Sequence, residues 1–554
     1  MRRALPGVAV LALLALATPQ AGAGDRRVRV EAEPSATLLV HGEYPERTSN
    51  CVNPSQPLLH ARYRGTIEVG RDAHGSLFVI GELPFEDYLK GIAEVPRRWH
   101  LEALKAQVVA ARSYAMSRLR LGSSEARRLG YDLCATEACQ VYLGMGIEAG
   151  PWGERWVRAV EGTAGEVLLY EGRPADALYS STSPGRTFDN EDVFGGSPLP
   201  YLRGGPERDD GESPLAHWEV RFALDDLARF LRAAGAWGGE RIQGVTIRSG
   251  QIALRGGGRR LRLTRAELRS ALNDVASCLD ERYPSREPDG YRLPQTVPSV
   301  WFEAEREGDD LVLRGRGWGH GVGMVQWGAK GKADRGLGYG DILAAYYGGL
   351  RPQRVETPET IRVLVADGLR RVTVVPHGPA TIAGLGRDVD PPWVLTARRR
   401  GVRVRRGPQP PPALAVEARR AALREGRLTL PIDLPKDARV RLELVDEDGR
   451  VTTTPWRPRV RGRHRLDETP PAGPGSYRVR VVADDGVDRI RRGAGTVVLA
   501  GAARPTEDPA PPPGAPGDPG RALPVPAVLI PLVAAVLGLG AWLTLRRRRG
   551  FHRG

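Results

Sequence analysis

Residues 85–119 read FEDYLKGIAEVPRRWHLEALKAQVVAARSYAMSRL, and the second half of this stretch decides how the chain folds. Leu101, Leu104, Val108, Ala111, Ala115 and Leu119 recur at three- and four-residue spacing, which predicts an amphipathic helix from about 101 to 119. Pro96 and the Trp99-His100 pair mark its approach, and Gly122 marks its end. Lys105, Gln107, Arg112 and Arg118 fall off the apolar stripe, the pattern of a solvated face.

Outward from this helix, residues 25–353 mix helical and strand patterns and hold most of the tryptophan and tyrosine. Beyond them the helical period fades, apart from one basic, alanine-rich stretch, Ala415–Leu423. Short β-rich runs replace it at Ile361–Val365, Val372–Val375, Val440–Val445 and Tyr477–Val482, the last two closed by turns such as Glu447-Asp448-Gly449 and Asp484-Asp485-Gly486. The expected class is α+β. A catalytic-sized region (25–353) leads into a β-rich connecting region (355–427), a small sandwich-like domain (428–502) and a Pro-rich linker (503–524) that cannot bury a core.

The two ends predict a compartment. Met1–Ala23 carries Arg2-Arg3, an apolar run from Val8 to Ala17 and Ala21-Gly22-Ala23, the layout of a secretory signal peptide. Val525–Leu545 is apolar or small throughout and is followed by Arg546–Arg549, which predicts a single C-terminal transmembrane helix with a basic cytoplasmic tail at 546–554. The expectation is a single-pass protein of the cell membrane with an extracytoplasmic ectodomain.

The 554 residues carry a formal charge of +15. Setting aside Arg2, Arg3 and the six arginines of the acid-free C-terminal stretch leaves +7 on about 500 residues, too dilute for a nucleic-acid surface. Four cysteines in an oxidising compartment point to disulfides, with three possible connectivities. Cys134 and Cys139 are close enough to close a local loop, leaving Cys51 with Cys278. A zinc site and free thiols are the competing readings, although no C-x-x-C pair is present and no histidine stands beside Cys134 or Cys139.

Standard catalytic motifs are missing: the sequence has no H-E-x-x-H, no P-loop and no G-x-S-x-G. Glycines at 315, 317, 319, 321 and 323 alternate strictly. This predicts a strand-like segment with Trp318, His320, Val322 and Met324 on one side and a bare face for close approach on the other. Ser180-Ser181-Thr182-Ser183 before Pro184-Gly185 reads as an ordinary turn.

In order along the chain, four segments resemble the stage II sporulation protein D (SpoIID) and LytB amidase-enhancer family. They are Phe85–Ala115; Cys139-Gln140-Val141-Tyr142-Leu143-Gly144; Tyr179–Leu202; and Gly315–Ala329, reading GRGWGHGVGMVQWGA. The resemblance covers about residues 28–350. It implies a lytic transglycosylase, here anchored by the expected C-terminal membrane helix, that cuts the MurNAc–GlcNAc bond of peptidoglycan strands stripped of peptide, with Glu94 as its single acid/base. The alternative it implies is a non-catalytic glycan-binding protein that recruits or activates a cell-wall amidase, and a scaffold acting through its β-rich part is a third. On the same resemblance Gln107, Arg112, Tyr201, Trp318, His320 and Gln326 bind glycan, with Arg112 meeting a lactyl carboxylate. Trp99 is the candidate apolar wall for Glu94. Two departures stand out. The histidine that precedes the second cysteine in zinc-binding relatives is Ala138 here, so no cofactor is expected, and Ser180 stands where the Ser-Thr-Ser stretch usually follows a histidine.

Overall fold

A computed structural model of the chain describes residues 27–45, 59–119, 124–248, 250–273, 275–279, 296–383, 390–399 and 401–499. Its first core is built from two sheets whose strands come from both ends of this range. One sheet runs in the order Ala380–Ala383, Val28–Ala32, Thr66–Arg71, Leu77–Pro84, Thr360–Leu369, Leu133–Cys134. The other runs Gly401–Arg406, Trp393–Arg398, Arg371–His377, Thr37–Glu43, His60–Tyr63. The strand Thr360–Leu369 pairs antiparallel with Leu77–Pro84, placing Ile361 opposite Leu83 and Val363 opposite Gly81. Ile361, Val363, Val372 and Val374 therefore enter the same core as Val28, Ile67 and Leu77. Residues 360–406 complete the fold that residues 28–84 begin.

The helix of the opening stretch spans Leu101–Arg118. Its N-cap is His100, whose ring nitrogen accepts from the Glu102 N–H at 3.3 Å. It is not a surface helix. Residues 103, 104 and 106–115 are all buried, Gln107, Arg112 and Ser113 among them. It is enclosed by the helices Gly153–Gly162, Gln326–Asp334 and Tyr339–Tyr346 and by the strand Glu166–Tyr170. A helix covered on every side has no polar face to show in its periodicity.

A second core forms within residues 215–313 around a three-stranded sheet ordered Trp218–Ala223, Asp310–Gly315, Phe302–Glu307. The helices Leu224–Ala233 and Arg265–Asn273 contribute Leu227, Phe230, Leu231 and Leu268 to it. A third core, residues 414–499, fills the space within a β-rich unit of two sheets. Its 485–488 turn seats on the first core. The Asp488 carboxylate meets the His60 ring at 3.1 Å and accepts the Ala413 and Leu414 N–H groups, and Arg62 donates to the Val487 carbonyl at 2.8 Å.

These observations correct the sequence reading of the fold class. Strands make up 41% and helices 20% of the described residues, so the chain is strand-rich. The reason is visible in Leu77–Ile80: strands buried on both faces read as unbroken apolar runs, which a period-two search passes over. The basic stretch Ala415–Leu423 is not helical either; it holds two short strands, Glu417–Ala418 and Ala422–Arg424. Among the described residues no helix is long and apolar enough to cross a membrane, so the C-terminal transmembrane helix is not supported. Val525–Leu545, Met1–Ala23 and the linker 503–524 lie outside the described residues.

The interleaving makes a prediction. A fragment of residues 27–353 leaves the Leu77–Pro84 strand without its Thr360–Leu369 partner and should show no cooperative thermal transition, whereas residues 27–409 should melt cooperatively. Circular dichroism decides; cooperative unfolding of 27–353 would contradict this topology.

Candidate functional site

After the short helix Phe85–Lys90, the chain runs through residues 91–100 before the central helix begins. This segment is held as a strand-like pair against 141–143. The Ala93 N–H donates to the Val141 carbonyl at 2.9 Å, the Leu143 N–H donates to the Gly91 carbonyl at 2.9 Å, and Ile92 forms a bridge with Tyr142. The next residue, Glu94, turns its carboxylate back onto this pair and accepts the Val141 N–H at 2.6 Å. A disulfide joins Cys134 to Cys139 and braces the loop that delivers Val141.

Glu94 also accepts from the Tyr179 hydroxyl and the Gln326 amide. A buried network fixes both donors. Tyr88 donates to Gln140 Oε1 at 2.8 Å, so the Gln140 amide nitrogen must face the other way; it donates to the Ala111 carbonyl at 3.2 Å and to the Tyr179 oxygen at 2.9 Å. With its oxygen lone pair occupied, the Tyr179 hydroxyl is left to donate to Glu94. Gln326 likewise donates to Gln107 Oε1 at 3.3 Å.

These three donors favour the carboxylate. The larger effect opposes them: although part of Glu94 faces the cleft, protein surrounds it on its other sides, and the loss of hydration pushes its pKa up to about 7, helped by the negative charge of Glu137. Burial outweighs hydrogen bonding here. Glu94 is a carboxyl poised near neutrality.

Its exposed edge opens into a cleft of about 2080 Å³. Trp99, Trp301, Trp318 and Trp327 line it, with Phe188, Phe194 and Trp152. Trp99 and Trp327 meet edge to face at 4.9 Å, and Phe188 stacks flat on Trp301 at 4.7 Å. Flat aromatic faces in an open groove suit the apolar faces of sugar rings.

The glycine-rich segment forms one wall, and it is not a strand. Gly317, Gly319, Gly321 and Gly323 have φ of 76°, 102°, 68° and 71°, a conformation side chains rarely adopt. A Cβ at 319 would lie 2.8 Å from the Ser180 Cβ, and one at 323 would lie 2.1 Å from the Leu178 carbonyl oxygen. The alternation exists because this backbone lies directly on residues 178–184; after Gly315, which ends the Asp310–Gly315 strand, only Met324–Val325 pair as a strand, parallel to Tyr179–Ser180. The predicted close approach is therefore of backbone to backbone. The predicted common side splits: Val322 and Met324 enter the core, while Trp318 and His320 line the cleft.

His320 is held neutral. Its Nδ1 accepts the Val322 N–H at 3.1 Å, its other ring nitrogen donates to the Tyr179 carbonyl, and burial pushes its pKa down to about 4. It fixes the backbone that carries Tyr179.

The structure thus gathers Glu94, Trp318, His320 and Gln326 at one cleft and leaves three expected residues outside its lining. Gln107 is 1% exposed, behind Gln326. Arg112 is fully buried. It donates from Nε and one terminal nitrogen to the Glu86 carboxylate at 2.9 and 2.8 Å, and from the other to the Glu166 carbonyl at 3.1 Å. Tyr201 accepts the Asp176 N–H at 3.1 Å and packs on Tyr170, supporting the cleft rim from behind. Position off an apolar stripe signals polarity, not direction, and a central helix turns its polar residues inward when partners wait there. The reading missed Tyr179, Gln140 and the Val141 N–H, although all three stand within quoted motifs. No periodicity marks a residue whose role is to hydrogen-bond another. Of the cysteines, Cys51 lies outside the described residues. Cys134 and Cys139 are bonded to each other with Ala138 between them, a set that does not fit zinc, and no other group of three acidic, histidine or cysteine side chains among the described residues is placed to hold a metal.

The profile of the Stage II sporulation protein family matches residues 73–170, the span from the Leu77–Pro84 strand through the Glu94 segment, the central helix and the Val141 loop to the Glu166–Tyr170 strand. Stage II sporulation protein D of Bacillus amyloliquefaciens is 30% identical over 280 residues, covering 49% of this chain and 74% of that protein. The chain belongs to the stage II sporulation protein D family. The protein of the same name from Bacillus subtilis is 29% identical over 51% of this chain and 78% of its own length. An Amidase enhancer of Bacillus subtilis is 28% identical over 47% of this chain and 39% of its own length.

The position of Arg112 is testable. Arg112→Ala strands the Glu86 carboxylate and the carbonyls of Glu166 and Val160, and should lower unfolding free energy by about 2–4 kcal/mol in urea titration, at the lower end of the range for buried pairs because Glu86 keeps partial hydration. Glycan affinity of the folded fraction should be unchanged. A variant of native stability with weakened glycan binding would place Arg112 in the site instead.

Proposed function

We propose that this member of the family is a peptidoglycan lytic transglycosylase that cleaves MurNAc–GlcNAc strands stripped of stem peptides. The observation that carries the reading is Glu94, the carboxyl whose pKa burial raises to about 7, in the wall of an aromatic cleft that Glu137, Asp176, Asp192 and Asp437 also line. Family membership and the similarity to an amidase enhancer support a cell-wall-related function.

Hydrolysis of a glycosidic bond takes two carboxyl groups, one to protonate the leaving oxygen and one to act as nucleophile or activate water. A lytic transglycosylase needs one. Glu94, protonated below about pH 7, gives its proton to the glycosidic oxygen as the C1–O bond breaks. The resulting carboxylate accepts the proton of the MurNAc 6-hydroxyl as that oxygen bonds to C1, leaving a 1,6-anhydro end and a re-protonated Glu94. The Val141, Tyr179 and Gln326 donors stabilise the carboxylate that exists between these transfers, and the surrounding protein keeps the acid form available at neutral pH. Trp99, Trp318 and Trp327 supply sugar-stacking faces. The Cys134–Cys139 disulfide suits an oxidising compartment and so supports a site that acts outside the cytoplasm.

The similarity to the Amidase enhancer favours a second reading, in which Glu94 grips glycan without cutting it and the protein recruits a cell-wall amidase.

Denuded glycan strands incubated with the protein should yield anhydro-ended products by mass spectrometry. Glu94→Gln should lower the rate about 10²–10⁴-fold while glycan binding changes little. Because the acid form is the one that starts the reaction, kcat/KM should fall as pH rises through about 7, and the Gln variant should lack that limb. Equal release by wild type and Glu94→Gln would remove Glu94 from the chemistry. Binding without cleavage by either, with stimulation of an amidase, would establish the second reading.

A further inference from the structure

The cleft does not end with the four motif segments. The same cavity that holds Glu94 is lined at another part of its wall by Leu434, Asp437 and residues 460–462 of the C-terminal β-rich unit, which lies outside the family-matched residues 73–170. This unit is fastened in place by Asp488 against His60 and by Val487 against Arg62, so its lining residues hold a defined position relative to Glu94.

Three further observations bear on this extension. Among the described residues six large apolar side chains are exposed, and three of them, Val193, Phe194 and Val460, line this one cleft from two separate units. An apolar side chain left in water at a cleft wall is a surface for a ligand to cover. Next, Trp152, also a lining residue, is one of three non-glycine residues among those described with positive φ, at 56°. A tryptophan held in that region costs conformational energy that its surroundings must offset. Finally, the turn that imposes it is built in: a Cβ at Gly153 would lie 1.9 Å from the Glu148 carbonyl oxygen, and Arg97 donates to the Pro151 carbonyl at 3.0 Å from a position that also lines the cleft.

We propose that Trp152 and the Val460 edge of the β-rich unit form an outer glycan subsite continuous with the Glu94 cleft, making this protein selective for strands several sugars long. The proposal rests on the glycan-acting reading above and adds its length dependence. Trp152 presents a flat ring to a sugar, Val460 covers its apolar face, and the Asp437 carboxylate, which accepts the Arg461 N–H at 2.9 Å, stands at the same edge for hydroxyl groups. Short fragments fill the cleft near Glu94 and gain nothing from this edge; long strands reach it.

Binding of defined-length peptide-free glycan fragments to the full chain in the Glu94→Gln background separates the possibilities. A disaccharide and a strand of about ten sugars serve as probes. Trp152→Gly places glycine where positive φ favours it, so folding should be retained, and affinity for the long strand should fall about tenfold with the disaccharide unaffected. Val460→Asp, at an exposed position, should act in the same direction. Unchanged long-strand affinity in both folded variants would overturn the outer subsite while leaving the central cleft intact. Failure of every glycan probe to bind the parent protein would overturn the glycan reading itself.

Discussion

The hydrogen bond from the Val141 N–H to the Glu94 carboxylate is the constraint on which the cleft depends, because three separate parts of the chain must be in place for it to form. The 91–94 segment must pair with 141–143, the Cys134–Cys139 link must brace the loop that carries Val141, and the central helix must sit beneath both. The geometry leaves one carboxyl with three donors and little water. Hydrogen bonds alone would lower its pKa; enclosure raises it further than they lower it. A group balanced in this way can be an acid and then a base within one turnover, and a single such residue is sufficient when the substrate brings its own nucleophile.

Around this bond the polar residues form layers rather than one ring of contacts. Tyr179 and Gln326 touch Glu94; Gln140, Gln107 and Tyr88 orient those two; His320 fixes the backbone of Tyr179 and stays neutral because it is enclosed. Arg112 belongs to the framework, where its guanidinium ties the central helix to Glu86 and to the carbonyl of Glu166. The aromatic walls come from elements far apart in sequence, which is why one continuous groove reaches from the family-matched residues to the C-terminal β-rich unit.

How much of this the sequence shows depends on the kind of signal. The central helix is legible because apolar spacing repeats for five turns. Its setting is not, since a stripe of leucine and alanine cannot tell one covered face from four. Glu94 is found through a motif resemblance, as no period or composition singles out one glutamate among many. The alternating glycines announce close approach, but only coordinates show that the approaching partner is backbone at 178–184 and that positive φ replaces a strand. The return of residues 360–406 to the first sheet is invisible locally, because pairing between strands some 280 residues apart leaves no trace in either run. Strand content is hidden for a separate reason: runs such as Leu77–Ile80, buried on both faces, have no polar alternation.

The proposed chemistry requires Glu94 to carry a proton near neutral pH. Its carboxyl carbon can be followed by NMR in protein labelled at glutamate side chains, with the resonance assigned by its loss in Glu94→Gln. A titration midpoint near 7 is predicted, well separated from the bulk of glutamates near 4.3. A midpoint at or below 4.3 would mean that the three donors outweigh enclosure, and that Glu94 holds no proton to give.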